Sequence, residues 1–161
     1  MDSIIVTGGN RLTGTVRTSG AKNAALPVLF ASLLADGEHT FERVPELRDI
    51  DSTDLLLEAL GCETERSDGR LVVRVAEPDE AVAPYDLVRK MRASILTLGP
   101  MLTRYGEARV SLPGGCAIGS RPIDLHVETM RKLGAEIEIE GGYVIARAKR
   151  LVGDRILFEK L

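Results

Sequence analysis

The apolar and polar positions of this chain fall into short blocks that switch from a strand's period to a helix's and back. Ser3 to Val6 and Thr15 to Thr18 alternate as short strands around a turn containing Gly8, Gly9 and Asn10. Gly20 to Ala35, GAKNAALPVLFASLLA, is small or strongly apolar almost throughout, which predicts a helix buried on most sides, with Pro27 as a candidate kink. Glu38 to Arg43 alternates as a strand. Asp51 to Leu60, DSTDLLLEAL, reads as an amphipathic helix with Asp51 or Ser52 as N-cap and Gly61 as its stop. Glu63 to Arg66 and Arg70 to Val75 predict a hairpin through Ser67, Asp68 and Gly69.

After the polar stretch EPDEAVAP the same order begins again, about 70 residues on, so the chain reads as an internal repeat. Gly37-Glu38 corresponds to Gly106-Glu107, Val44-Pro45 to Leu112-Pro113, Leu60-Gly61 to Leu133-Gly134, and Gly69 to Gly142. Arg74 closes one hairpin and Arg147 the other. This divides the chain into N-terminal strands (1–19), a first unit (20–80), a second unit (81–149) and the opening of a third (150–161). Arg150 to Gly153 echoes Arg11 to Gly14, and units that bury a face against a neighbour need that neighbour or a cap. The expectation is therefore a piece of a longer chain.

The two units differ in one place. Between the proline and the following helix the second is longer by about five residues, and the extra length falls in the loop 112–122, which contains the sequence PGGCAIGSRP. Gly114, Gly115 and Gly119 allow close backbone approach to an anion, Arg121 adds a cation, and Pro122 suits a helix start whose free N–H groups face the loop. Cys116 lies among them. A position that is short in one copy and Gly-rich and reactive in the other is where function is grafted onto a repeated scaffold. Cys62, by contrast, sits opposite Ala135 in the repeat, where a small apolar residue serves equally well, so core packing is its reading.

Composition narrows the chemistry. A net charge of −3, 4% aromatic residues and no Trp give neither the basic footprint nor the stacking platforms of nucleic-acid binding. No stretch approaches membrane-spanning length and the amino terminus does not read as a signal peptide, so the reading is cytoplasmic. Two cysteines without a CxxC and two histidines suggest no metal site or disulfide framework, and no cofactor is called for. A P-loop is excluded because neither Gly-rich stretch ends in Gly-Lys-Ser or Gly-Lys-Thr.

Three long segments, GAKNAALP, PYDLVRKMRASILTLGPMLTRYG and LPGGCAIGSRPIDLH, together resemble the UDP-N-acetylglucosamine enolpyruvyl transferase family, and the resemblance covers essentially the whole chain. It implies an α/β (α+β) fold, an inside-out barrel of βαβαββ units, with two such lobes and a cleft between them. Residues 1–19 then belong to the second lobe, the rest of which would be a missing partner of this chain. It also implies transfer of the enolpyruvyl group of phosphoenolpyruvate to the 3-hydroxyl of UDP-N-acetylglucosamine, an early step of peptidoglycan synthesis.

By that resemblance Cys116 is a general acid at the enolpyruvyl methylene and the target of fosfomycin; a thiol titrates near enough to neutrality to serve. Lys22 and Asn23, at a helix start where dipole and N–H groups favour an anion, become phosphoenolpyruvate contacts together with Arg121. Arg92, Arg121, Pro122, Ile123, Asp124, Leu125, Lys160 and Leu161 become contacts to UDP-N-acetylglucosamine. Arg92 reads as lying inside an apolar helix, Asp124 doubles as a first-turn acid, and His126 and His39 read as packing or capping residues. The family's sugar-hydroxyl base has no match here, and the chain alone is expected to be inactive because the cleft needs its other wall. Two other readings stay open: an enolpyruvyl transferase of the shikimate type, and a non-catalytic folded piece.

Overall fold

The computed structural model of the chain describes residues 3–76, 81–89, 91–112 and 123–158. Two halves repeat one plan. In the first, α1 (Lys22–Ala31) passes through a 3-10 turn, Ser32–Leu34, into β1 (Gly37–Phe41), α2 (Arg48–Ala59), β2 (Cys62–Ser67) and β3 (Arg70–Val75). In the second, β4 (Val82–Ala83) and the single turn α3 (Tyr85–Val88) lead to a 3-10 stretch, Arg92–Thr97, that continues as α4 (Leu98–Tyr105). Then come β5 (Glu107–Ser111), α5 (Asp124–Lys132), β6 (Glu136–Glu140) and β7 (Tyr143–Arg147).

The repeat holds to the level of register. β3 lies between β1 and β2 and is antiparallel to both; β7 lies between β5 and β6 in the same way, with β4 added parallel to β5. Arg74 stands opposite Glu38 and Glu63, and Arg147 opposite Glu107 and Glu136. The Val44 N–H donates to the Gly69 carbonyl at 2.8 Å, and the Leu112 N–H to the Gly142 carbonyl at 2.8 Å. Asp68 and Gly69, at φ 48° and 76°, make the first hairpin turn left-handed at both central residues, as the strand twist requires. One apolar cluster joins the halves: Leu29 and Phe30 of α1, Ile50 and Leu57 of α2, Leu98 and Met101 of α4, Val73 of β3 and Val144 of β7. Arg104 of α4 reaches back to the first unit, donating to the Leu33 carbonyl at 3.3 Å and pairing with Asp36. Among the described residues no helix is long and apolar enough to cross a membrane.

Local expectations are corrected in four places. Residues 3–20 contain no strand, and Ile4, Ile5, Val6, Leu12 and Val16 are exposed. Alternation was present there, but no sheet edge among the described residues pairs with it, and an unpaired strand leaves its backbone groups to water. α1 is buried on one side only: Leu26, Leu29 and Phe30 are covered, whereas Ala24, Pro27 and Val28 are exposed, because its packing partners all meet that one face. α2 begins before Asp51 and Ser52. Leu47 is its N-cap, Asp49 and Asp51 are first-turn acids that suit the helix dipole, and the Ser52 hydroxyl donates back to the Arg48 carbonyl at 3.0 Å. Burial of Ile50 draws that turn into the helix. Finally, Arg92 opens a 3-10 stretch instead of lying within a helix, since Met91 is extended (φ −143°, ψ 115°) and separates it from α3.

Candidate functional site

The chain entering α1 and the chain entering α2 lie against each other. A Cβ on Gly20 would collide with the Arg43 carbonyl oxygen and touch Pro45, so glycine is what lets the two segments approach. Arg43 itself is left-handed at φ 59°, a conformation a non-glycine residue holds only when its surroundings impose it. From this contact Lys22 emerges as the first residue of α1, and Arg48 and Asp49 open α2. The Lys22 Nζ lies 2.6 Å from Asp49 Oδ2, with the side chains 43% and 36% exposed. The ammonium is thus accessible but held. Asn23, next on α1, is exposed, and among the described residues no side chain caps this helix start.

In the second unit Arg92 is exposed at the start of the 3-10 stretch, which packs on α1. Among the described residues it has no acidic partner within ion-pair distance. Ile123 is half-buried as the N-cap of α5; Asp124 is the first-turn acid and Leu125 is exposed beside it. His126, in the same turn, is held below its ordinary pKa by burial first and by the positive charge of Arg92 second. His39 makes only a local contact, its Nε2 lying 3.1 Å from the Ala35 carbonyl.

The structure therefore brings Lys22 to Asp49, and sets Arg92 near enough to His126 for its charge to be felt there. Cys116, Arg121, Pro122, Lys160 and Leu161 lie outside the described residues. Cys62 is buried against the core at 5% exposure, and burial pushes its thiol up to about 11, partly offset by Arg104. Sequence reasoning missed Asp49 and Arg43. Asp49 was hidden by the misplaced start of α2; nothing in the sequence marks Arg43 as left-handed. A cleft of about 630 Å³ edged by Tyr105, Glu136, Arg147 and Lys149 contains none of the expected site residues.

Comparison with known proteins identifies the family and the fold. The family model described as EPSP synthase (3-phosphoshikimate 1-carboxyvinyltransferase) matches residues 6–159. The chain is 58% identical over 156 residues to the UDP-N-acetylglucosamine 1-carboxyvinyltransferase of Bdellovibrio bacteriovorus, covering 97% of this chain and 38% of that protein. It is 54% identical to the protein of the same name from Desulforapulum autotrophicum, covering 99% and 38%. The chain thus spans well under half the length of these relatives. Among solved structures, the enolpyruvyl transferase NikO from Streptomyces tendae superposes with a TM-score of 0.74 at 28% identity, over 90% of this chain and 32% of that one. EPSP synthase from Acinetobacter baumannii, at 16% identity and a TM-score of 0.59 over 84% of this chain and 32% of that one, shares the fold. With the family model matched over nearly its whole length and the repeated unit seen in its sheets, this chain belongs to the EPSP synthase family of enolpyruvyl transferases.

Proposed function

We propose that this chain forms one wall of the active site of an enzyme that transfers the enolpyruvyl group of phosphoenolpyruvate to the 3-hydroxyl of UDP-N-acetylglucosamine, releasing phosphate. The observation that carries the reading is identity of 53–58%, over almost the whole chain, to proteins named for that carboxyvinyl transfer. The family model takes its description from the shikimate-type reaction, but the EPSP synthase structure is only 16% identical and supports the fold alone. The setting is peptidoglycan and cell-wall synthesis in the cytoplasm, and through it cell shape and division.

In this reading Lys22 and Asn23 at the start of α1 hold the phosphate and carboxylate of phosphoenolpyruvate together with Arg121. Cys116 delivers the proton to the methylene carbon. Arg92, Ile123, Asp124 and Leu125, with Arg121, Pro122, Lys160 and Leu161, hold the nucleotide sugar. Among the described residues Arg92 has no carboxylate partner, which supports an anion-binding role, since such a cation can meet a diphosphate. The base for the sugar hydroxyl is supplied by the part of the enzyme that these 161 residues do not contain.

Fosfomycin labelling tests the reading. A single adduct on Cys116, located by peptide mass mapping and enhanced by UDP-N-acetylglucosamine, is the expected result. The control joins this chain to the remaining length of the Bdellovibrio relative; no adduct there overturns the assignment. In that joined enzyme shikimate 3-phosphate should not compete with the UDP-sugar. Competition would favour the shikimate-type reading.

A further inference from the structure

We infer that Asp49 is a positioning residue for Lys22, holding the ammonium where the phosphate of phosphoenolpyruvate is to bind; this rests on the function proposed above. Three observations carry it. The first is the ion pair itself, 2.6 Å between the first turns of two different helices. A lysine is a point charge on a flexible stem, and an anchored one loses less freedom when an anion arrives. Its ammonium has three donors; Asp49 takes one and leaves the others for the ligand. Because both side chains are more than a third exposed, the pair adds little to stability, which leaves placement as its effect.

The second is the clasp behind the pair. Gly20 admits the Arg43 carbonyl only because it has no Cβ, and Arg43 is held left-handed at the same point. Strain of this kind persists where the surroundings over-determine the backbone, and here it sets the chain entering α1 against the chain entering α2. The third is how the carboxylate's own turn is secured. The Thr53 hydroxyl donates to the Asp49 carbonyl at 2.8 Å and lies 3.5 Å from the sulfur of Met91. Met91 immediately precedes Arg92. One turn of α2 therefore registers Lys22 directly and Arg92 through its neighbour.

The test uses the joined full-length enzyme, comparing Asp49→Ala, Asp49→Glu, Gly20→Ala, Lys22→Ala and the double variant Lys22→Ala/Asp49→Ala. Asp49→Ala should raise KM for phosphoenolpyruvate about tenfold, with kcat changed less than about threefold, KM for the UDP-sugar unchanged and Tm nearly unmoved. Asp49→Glu should recover part of the loss, and Gly20→Ala should reproduce the KM signature. On the Lys22→Ala background Asp49→Ala should add nothing, because the carboxylate acts only through the lysine. An unchanged or lowered KM in Asp49→Ala, while Lys22→Ala raises it, overturns the positioning role and leaves the function standing. If Lys22→Ala itself leaves KM for phosphoenolpyruvate unchanged, the substrate assignment fails, and the positioning role with it.

Discussion

In Asp54 and Cys62 burial is the largest influence on what the side chain can do. Asp54 faces Arg66 at 3.9 Å, but that guanidinium already pairs with Asp51 at 2.7 Å. Burial raises the Asp54 carboxyl to about 6, with Arg66 opposing and Asp51 and Glu58 adding to the rise. A carboxyl near 3.9 in the unfolded chain and about 6 in the folded one binds its proton more tightly when folded, so stability should fall as pH rises from about 4 to 6 and stay lower above that. Asp54→Asn should flatten that slope in urea unfolding and stabilise the chain at pH 7 by roughly 1–2 kcal/mol, since the neutral amide meets no such penalty. An unchanged slope would place the pH dependence elsewhere. Cys62, with its thiol near 11, has on the order of a thousandth of its population as thiolate at pH 8. Iodoacetamide at that pH should modify Cys116 and leave Cys62 unlabelled until denaturant is added; equal rates would contradict its burial.

Among the elements, each hairpin is a local product and each sheet is not. Asp68-Gly69 and Gly141-Gly142 supply the left-handed turns, and the strands on either side need only their immediate neighbours. β1 and β5, in contrast, reach their central strands from across a helix, and the matching hydrogen bonds Val44 to Gly69 and Leu112 to Gly142 close both units in the same way. The segment 3–20 has the alternation of a strand, without a partner among the described residues. Trypsin should therefore cut after Arg11 and Arg17 well before any site between 37 and 75, as read by mass spectrometry on a short time course. Protection of both sites would mean that the segment pairs with something in solution.

For the molecule as a whole, the expected outcome is that the purified 161-residue chain releases no phosphate from phosphoenolpyruvate and UDP-N-acetylglucosamine, whereas the joined enzyme does. Turnover by the chain alone would mean that the sugar-hydroxyl base lies within it. The repeat was legible in the order of residues because glycines, prolines and charged closing residues mark turns and sheet ends locally, and the family through its resemblance in three long motifs. So was the inert character of Cys62, through its equivalence to Ala135. What the sequence by itself determined is the internal repeat and most of its helices and strands, since these depend on neighbours along the chain. Only the tertiary structure decided that residues 3–20 find no strand partner among the described residues, that α1 keeps one face bare, and that Asp49 rather than solvent meets Lys22. Each of those depends on which surfaces from distant parts of the chain come to lie together, and no local pattern encodes that distance.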